Sequence, residues 1–157
     1  MDLGYPDFSF NISNGPRQHR CSLRFPAKNF SGDELDDLCQ FLSFRRLQTL
    51  STNILPSYVV ENHLQNSADL QSIKFHGQVP WDFSWALGTG SNTFSAFKEL
   101  VICGIEKDIA PQLRNLREAL ADCRVGGLRL ARLVFVNCPT ADAGQFKDVV
   151  DVVSVEG

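Results

Sequence analysis

No segment of this 157-residue chain approaches the run of about 18 to 20 apolar residues that crosses a bilayer. Its opening, MDLGYPDFSF, has neither the cationic start nor the continuous apolar stretch of a secretory signal. The expectation is an intracellular chain, cytoplasmic or nuclear, without a membrane partner. There is no basic block either: 15 Lys and Arg are scattered among 18 Asp and Glu, for a formal net charge of −3. No field of that kind attracts a phosphate backbone, so nucleic acid is not an expected partner. CxxC pairs are absent, and the five cysteines, Cys21, Cys39, Cys103, Cys123 and Cys138, are odd in number and widely spread. That distribution argues against a disulfide framework and a zinc cluster, and leaves thiols packed as small hydrophobes. The sequons at Asn11 and Asn29 matter only in a secreted chain and read as chance.

Catalytic signatures are equally scarce. His19, His63 and His76 lack the paired spacing of an HExxH helix, and neither a GxSxG elbow nor a catalytic Cys signature occurs. The stretch GTGSNT, Gly88 to Thr93, has small residues but no P-loop lysine and no full GxGxxG, so it reads as a loop between repeats. The carboxylates of DELDD, Asp33 to Asp37, fall where a helix begins and suit its positive end. No catalytic residue, metal or cofactor is expected, and the chain is expected not to be an enzyme.

What the chain does have is an ordinary globular balance, 43% hydrophobic and 21% charged, sized for a single domain, and a spacing that recurs. LQTLSTNIL places Leu47, Leu50, Thr52 and Leu55 at i, i+3, i+5 and i+8. LQSIKFHG places Leu70, Ile73 and Phe75 in the same frame, FKELVICGI places Phe97, Leu100, Ile102 and Ile105, and LARLVFVNC places Leu130, Leu133, Phe135 and Cys138. A fainter copy, RCSLRF, offers Leu23 and Phe25. Starts at 20, 47, 70, 97 and 130 give steps of 27, 23, 27 and 33 residues, the scale of a solenoid repeat. The domain is expected to span 1–157, with 1–18 an irregular N-terminal segment or edge and 19–157 four to five irregular repeats.

Helical signals lie between these segments. SGDELDDLCQFL begins with Ser31 and Glu34 at capping-box spacing. PSYVVENHL opens with Pro56 and sets Val60 and Leu64 one turn apart. KDIAPQLRNLREALADCRVGG aligns Ile109, Leu113, Leu116, Leu120 and Cys123 in a stripe that ends at Gly126 or Gly127, either able to supply a left-handed cap. A last helix is expected from a Thr140 cap through Phe146 and Val149. Alternating strand and helix, with units too small to bury both apolar faces alone, predicts an α/β solenoid with a parallel sheet on the inner face and helices on the outer.

The LxxLxLxx(N/C) frame resembles the irregular, longer form of the leucine-rich repeat, over about residues 20 to 155. The tail LREALADCRVGGLRLARLVFVNCPTADAGQFKDVV is similar to the last helix-strand-helix of such regions in fungal F-box-like proteins, and GQVPWDFSWA resembles a post-strand loop of the same group. An F-box of the LPxEIL kind is itself absent. What the resemblance implies is a short partial horseshoe and a non-catalytic protein-protein interaction scaffold, the substrate-recognition part of an F-box-type ubiquitin-ligase receptor. Its partner would be a protein, a ligase adaptor or a substrate.

In that frame, side chains at i+2, i+4 and i+6 point away from the helices. They form three rows: Ser22, Thr49, Ser72, Glu99, Arg132; Arg24, Ser51, Lys74, Val101, Val134; Pro26, Asn53, His76, Cys103, Val136. Val101, Cys103, Val134 and Val136 make an apolar patch that needs cover, from the DVVDVVSVEG tail or from a partner. Lys74, His76, Glu99, Val101, Arg132 and Val134 are therefore candidate partner-binding residues. Trp81 and Trp85, with Phe83 between them, offer an aromatic platform or else plug the stack edge under a loop. The alternative to a binding module is a small α/β enzyme with its site in the post-strand loops HGQVPW, CGIEKD and NCPTAD.

Overall fold

The computed structural model describes residues 7–14, 19–26, 37, 40, 47–52, 57–64, 67–89, 94–104 and 110–157. Its strands are β1 (Asp7–Asn14), β2 (His19–Pro26), β3 (Thr49–Thr52), β4 (Ser72–His76), β5 (Glu99–Cys103), β6 (Leu130–Val136) and β7 (Val150–Glu156). They form one sheet in the order β2-β1-β3-β4-β5-β6-β7. From β3 to β7 the neighbours are parallel and in chain order. The helices are α1 (Ser57–Asn62), α2 (Trp81–Thr89) and α3 (Ala110–Val125), with a 3-10 turn at Ala143–Phe146. The molecule is thus α/β, with five parallel strands.

Residues at i, i+3 and i+5 of the recurring frame make the core. Leu47, Leu50 and Thr52, Leu70, Ile73 and Phe75, Phe97, Leu100 and Ile102, and Leu130, Leu133 and Phe135 are all buried. Strand register aligns them: Leu50 pairs with Ile73, Ile73 with Leu100 and Leu100 with Leu133. The helices cover this face. Phe83 of α2 packs edge-on against Phe75 of β4 with ring centroids 5.1 Å apart, and against Phe94 and Phe97 at 5.9 and 6.1 Å. Phe146 meets Phe135 at 5.7 Å.

The strand ends repeat as faithfully as the core. Gln48 C=O accepts from the amides of Gln71 and Ser72, and Gln71 C=O from those of Lys98 and Glu99. At the far ends the amides of Gly77, Gly104 and Asn137 donate to Cys103, Val136 and Glu156. These three residues, each directly after its strand, have φ of +108°, +67° and +53°, the left-handed region that glycine enters freely and asparagine tolerates.

The stripe of α3 lies as expected, with Leu113, Leu116, Leu120 and Cys123 buried. Its C-terminus settles which glycine is the cap. The Leu128 amide donates to Cys123 C=O and the Gly127 amide to Arg124 C=O, the paired bonds of a Schellman motif, and Gly127 has φ +89°. Val60 and Leu64 are buried, as the spacing around α1 predicts. Gly88 closes α2 against α3: a Cβ there would lie 3.4 Å from the Ala119 backbone.

Four expectations change. RCSLRF is not a repeat strand in line with β3; it is β2, antiparallel to β1, and β1 stands between it and β3. Ser22, Arg24 and Pro26 therefore do not begin the three rows. Residues 7–14, expected within an irregular segment, form β1, whose period-two sequence FSFNI and following Asn-Gly-Pro run are hairpin signals. The last helix from Thr140 reduces to one 3-10 turn capped by Asp142, whose carboxylate accepts from the Gly144 amide at 2.9 Å. The valines after it become β7, as suits β-branched residues. Finally WDFSWALGT is helical and takes in Gly88 and Thr89, so the start of GTGSNT is not a loop. The capping box at Ser31, Pro56, Ile109, the sequon at Asn29, Asn53, Leu55, Ile105 and residues 90–93 lie outside the described residues, and Asn11, the other sequon, is described by its backbone in β1 alone.

Candidate functional site

Two surfaces collect the candidate residues. The first is the sheet face opposite the helices, where register sets Ser72 beside Glu99 and Arg132, Ser51 beside Lys74, Val101 and Val134, and His76 beside Cys103 and Val136. Two of the expected rows are present from β3 onward and the third, whose Asn53 is not described, from β4. The first is polar and connected: Ser72 Oγ donates to Glu99 at 3.0 Å, and Arg132 reaches Glu99 at 3.3 Å and Glu156 at 3.5 Å.

The second contact of Arg132 explains the fate of the apolar patch. Val152 of β7 lies opposite Arg132, Ser154 opposite Val134 and Glu156 opposite Val136, so an Arg132–Glu156 bridge runs along the strands past Val134 and Ser154. Val134 is only 3% exposed, and Ser154 Oγ is buried without a hydrogen-bond partner. Cys103 is 9% exposed, while Val101 and Val136 are half-buried. The tail supplies cover as a further strand with its own ion pair, and the accessible surface here is a set of polar groups around half-buried valines.

His76 at the edge of this face has Ser51 Oγ 2.9 Å from its Nε2. Partial burial lowers the imidazole pKa, and the Lys74 ammonium lowers it further. Cys103, its cross-strand neighbour, is pushed up by burial against the opposing pull of Lys74. The thiol is thereby held protonated, the opposite of an activated nucleophile. A Ser–His contact alone does not make a catalytic base, which needs an orienting group behind it; Lys74 is the one charge that perturbs His76. Cys123, deep under α3, has its pKa raised to about 11, first by burial and then by Asp122. No cluster of three or more His, Cys, Asp or Glu residues is placed to hold a metal among the described residues.

The second surface is built by α2. Pro80 precedes the helix and Trp81 opens it, with Asp82 in the first turn where a carboxylate suits the helix dipole. Residues i and i+4 share a helix face, which turns Trp81 and Trp85 outward while Phe83, Ala86 and Leu87 face the core. Trp81 is 61% and Trp85 49% exposed, and their rings stack with centroids 6.5 Å apart at 23°. Large aromatics seldom sit on a surface in this way without a ligand to cover them. Beside them a cavity of about 220 Å³ opens between α2 and α3, lined by Gln78, Pro80, Trp81, Ser84, Gln112 and Asn115. Gln112 Oε1 is buried there without a hydrogen-bond partner.

The candidates thus divide. Lys74, His76, Glu99, Val101, Arg132 and Val134 share the sheet face, with Val134 beneath it rather than on it; Trp81 and Trp85 stand apart, across the helix layer. Phe83, grouped with the tryptophans by its alternating position, belongs to the core. Gln112 and Asn115 were not singled out because they lie some 30 residues along the chain from Trp81 and only helix packing brings them to it. No helix of the described residues is long and apolar enough to cross a membrane. No family model, curated protein or solved structure matches this chain.

Proposed function

We propose that this chain is a non-catalytic interaction scaffold of the leucine-rich-repeat type, with the groove beside Trp81 and Trp85 as its main contact for a protein partner. The carrying observation is exposed Trp81, which lines that groove and stacks on the exposed Trp85. The groove rim is neutral, with carboxamides from Gln78, Gln112 and Asn115. A peptide that brings an apolar side chain to the indoles and a polar group to these carboxamides fits this chemistry. Lys74, His76, Glu99, Val101 and Arg132 form a second, more polar contact surface on the sheet.

The repeat assignment draws support from the shared i, i+3, i+5 burial and from the left-handed residues Gly77, Gly104 and Asn137 at one common position. A place in an F-box-type ubiquitin-ligase receptor rests on the sequence resemblance.

The chain has two tryptophans, Trp81 and Trp85, so its indole fluorescence reports on the groove alone. Partners captured with the intact chain are then titrated while emission is followed. Binding shifts the emission to the blue; measured by calorimetry, because the variant retains no indole, Trp81→Ala with Trp85→Ala weakens affinity by about 30-fold or more, the loss of a 2 kcal/mol hot spot. Lys74→Ala weakens it only a few-fold. Recovery of a ligase adaptor supports the receptor role; a partner that binds the double tryptophan variant as tightly as the parent refutes the groove.

A further inference from the structure

We propose that the partner segment received by the tryptophan groove carries an arginine, whose guanidinium lies on the indole of Trp85 and pairs with Asp122 across the groove. This rests on the groove as the contact site and adds the charge of what it takes. The observation that carries it is the way α3 sorts its charges. Over APQLRNLREALADCRV, the bases Arg114, Arg117 and Arg124 lie three and seven residues apart, a spacing that gathers them on one helix flank. That flank faces away from α2. Arg117 donates from Nε to Gln145 C=O at 2.8 Å and pairs with Asp148, and Arg124 donates to Asp148 C=O.

The flank toward α2 runs through Gln112, Asn115, Ala119 and Asp122. The first two line the groove, and a Cβ on Gly88 of α2 would lie 3.4 Å from Ala119 Cα and 3.6 Å from an Asp122 carboxylate oxygen. Glu118, four residues before Asp122, stands on the same side as that carboxylate. Among the described residues no base pairs with Glu118 or Asp122, and the α2 sequence WDFSWALGT contains none. The groove is thus neutral at its carboxamides and acidic toward Asp122. A cationic segment is complementary to it, and an acidic one meets two carboxylates with no base to answer them.

The aromatic wall selects among cations. Trp85 lies three residues before Gly88, one turn away on the same side of α2. Its indole is 49% exposed and within 23° of parallel to that of Trp81. A cation over an indole face is drawn to the ring quadrupole. A guanidinium is planar, so it lies flat there and still turns edge N–H donors to a carboxylate, whereas an ammonium is a compact, strongly hydrated charge that does not stack. Gly88 places no side chain between Trp85 and Asp122, which leaves the way open for one arginine to touch both.

The test titrates two capped peptides into the intact chain: acetyl-Leu-Gly-Arg-Gly amide, and its twin with citrulline, which keeps the shape of arginine and loses the charge. The indole N–H resonances of Trp81 and Trp85 report binding. The arginine peptide should shift the Trp85 resonance and bind at least about fivefold more tightly than its twin, with an advantage that shrinks as salt is raised. Asp122→Asn, at an exposed position, should bring the two peptides to within about twofold of each other. Indole resonances that move with neither peptide, equal binding of the two by the parent chain, or an arginine preference unchanged in Asp122→Asn would overturn the proposal; the parent comparison decides it even if the variant fails to fold. Peptides that bind alike, while a captured partner still loses affinity on Trp81→Ala with Trp85→Ala, would remove the arginine and leave the groove standing.

Discussion

His76 shares the outer face of β4 with Lys74, and its chemistry follows from that neighbour and from partial burial. Both depress its pKa from the ordinary 6.5, so between the folded value and about 6.5 the unfolded chain binds a proton that the folded chain does not. The associated stability is fully present above about 6.5 and is lost as pH falls from there through the folded pKa. A proton NMR titration should place the His76 midpoint below 6.5, and Lys74→Gln should raise it without restoring the free value, since burial, the larger cause, remains. A midpoint unmoved by Lys74→Gln would show that the ammonium is too well solvated to matter. In the core, Leu100 stands between Ile73 and Leu133 in the buried ladder. Its truncation to Ala should cost roughly 2 to 5 kcal/mol in a denaturant titration, and a loss below about 1 kcal/mol would mean that the site collapses to fill the cavity.

At the scale of the element, α3 and α2 teach opposite lessons. The α3 stripe could be read directly, because Leu113, Leu116, Leu120 and Cys123 repeat at helical spacing, whereas the choice of Gly127 over Gly126 as the stop came from the backbone. Gly127→Ala should destabilise by roughly 1 to 2 kcal/mol through the left-handed backbone alone, since a Cβ there meets nothing within 4 Å. Gly126, outside the positive-φ residues, should accept alanine with little change in thermal midpoint, so equal effects at the two positions would contradict the cap. In α2 the tryptophans and Phe83 alternate in sequence, a pattern that suggests an extended segment. The helical reading was there as well, in Phe83, Ala86 and Leu87 at i, i+3 and i+4. Short apolar runs carry both periods at once, and here the cluster of Phe75, Phe94 and Phe97 around Phe83 selects the helix.

Across the whole molecule the sheet has a graded interior. Strands β4, β5 and β6 are paired on both sides and roofed by helices, whereas β2 and β7 each have one neighbour among the described residues. Amide exchange should be slowest in β5 and faster toward β2 and β7. Uniform protection across all seven strands would instead indicate a single cooperative unit. The same gradation separates the two candidate surfaces: the sheet face rests on the best-paired strands, and the tryptophan groove on the packing of α2 against α3.

The parallel order of β3 to β6, their register and the residues facing inward were all fixed by a local count of apolar positions. A strand or helix of this size must bury one face, and the period of its apolar residues names that face wherever it sits. The rows of Lys74, His76, Glu99, Val101 and Arg132 followed from the same count. Which strands become neighbours at the two ends did not, because RCSLRF and the valine-rich tail satisfy a strand pattern equally well in several partnerships. Tertiary structure decided that β1 separates β2 from β3 and that β7 extends the sheet, and with it that an Arg132–Glu156 bridge roofs Val134. It alone also joined Gln112 and Asn115 to Trp81, since a groove between two helices is a property of their packing, and no spacing within either helix encodes it.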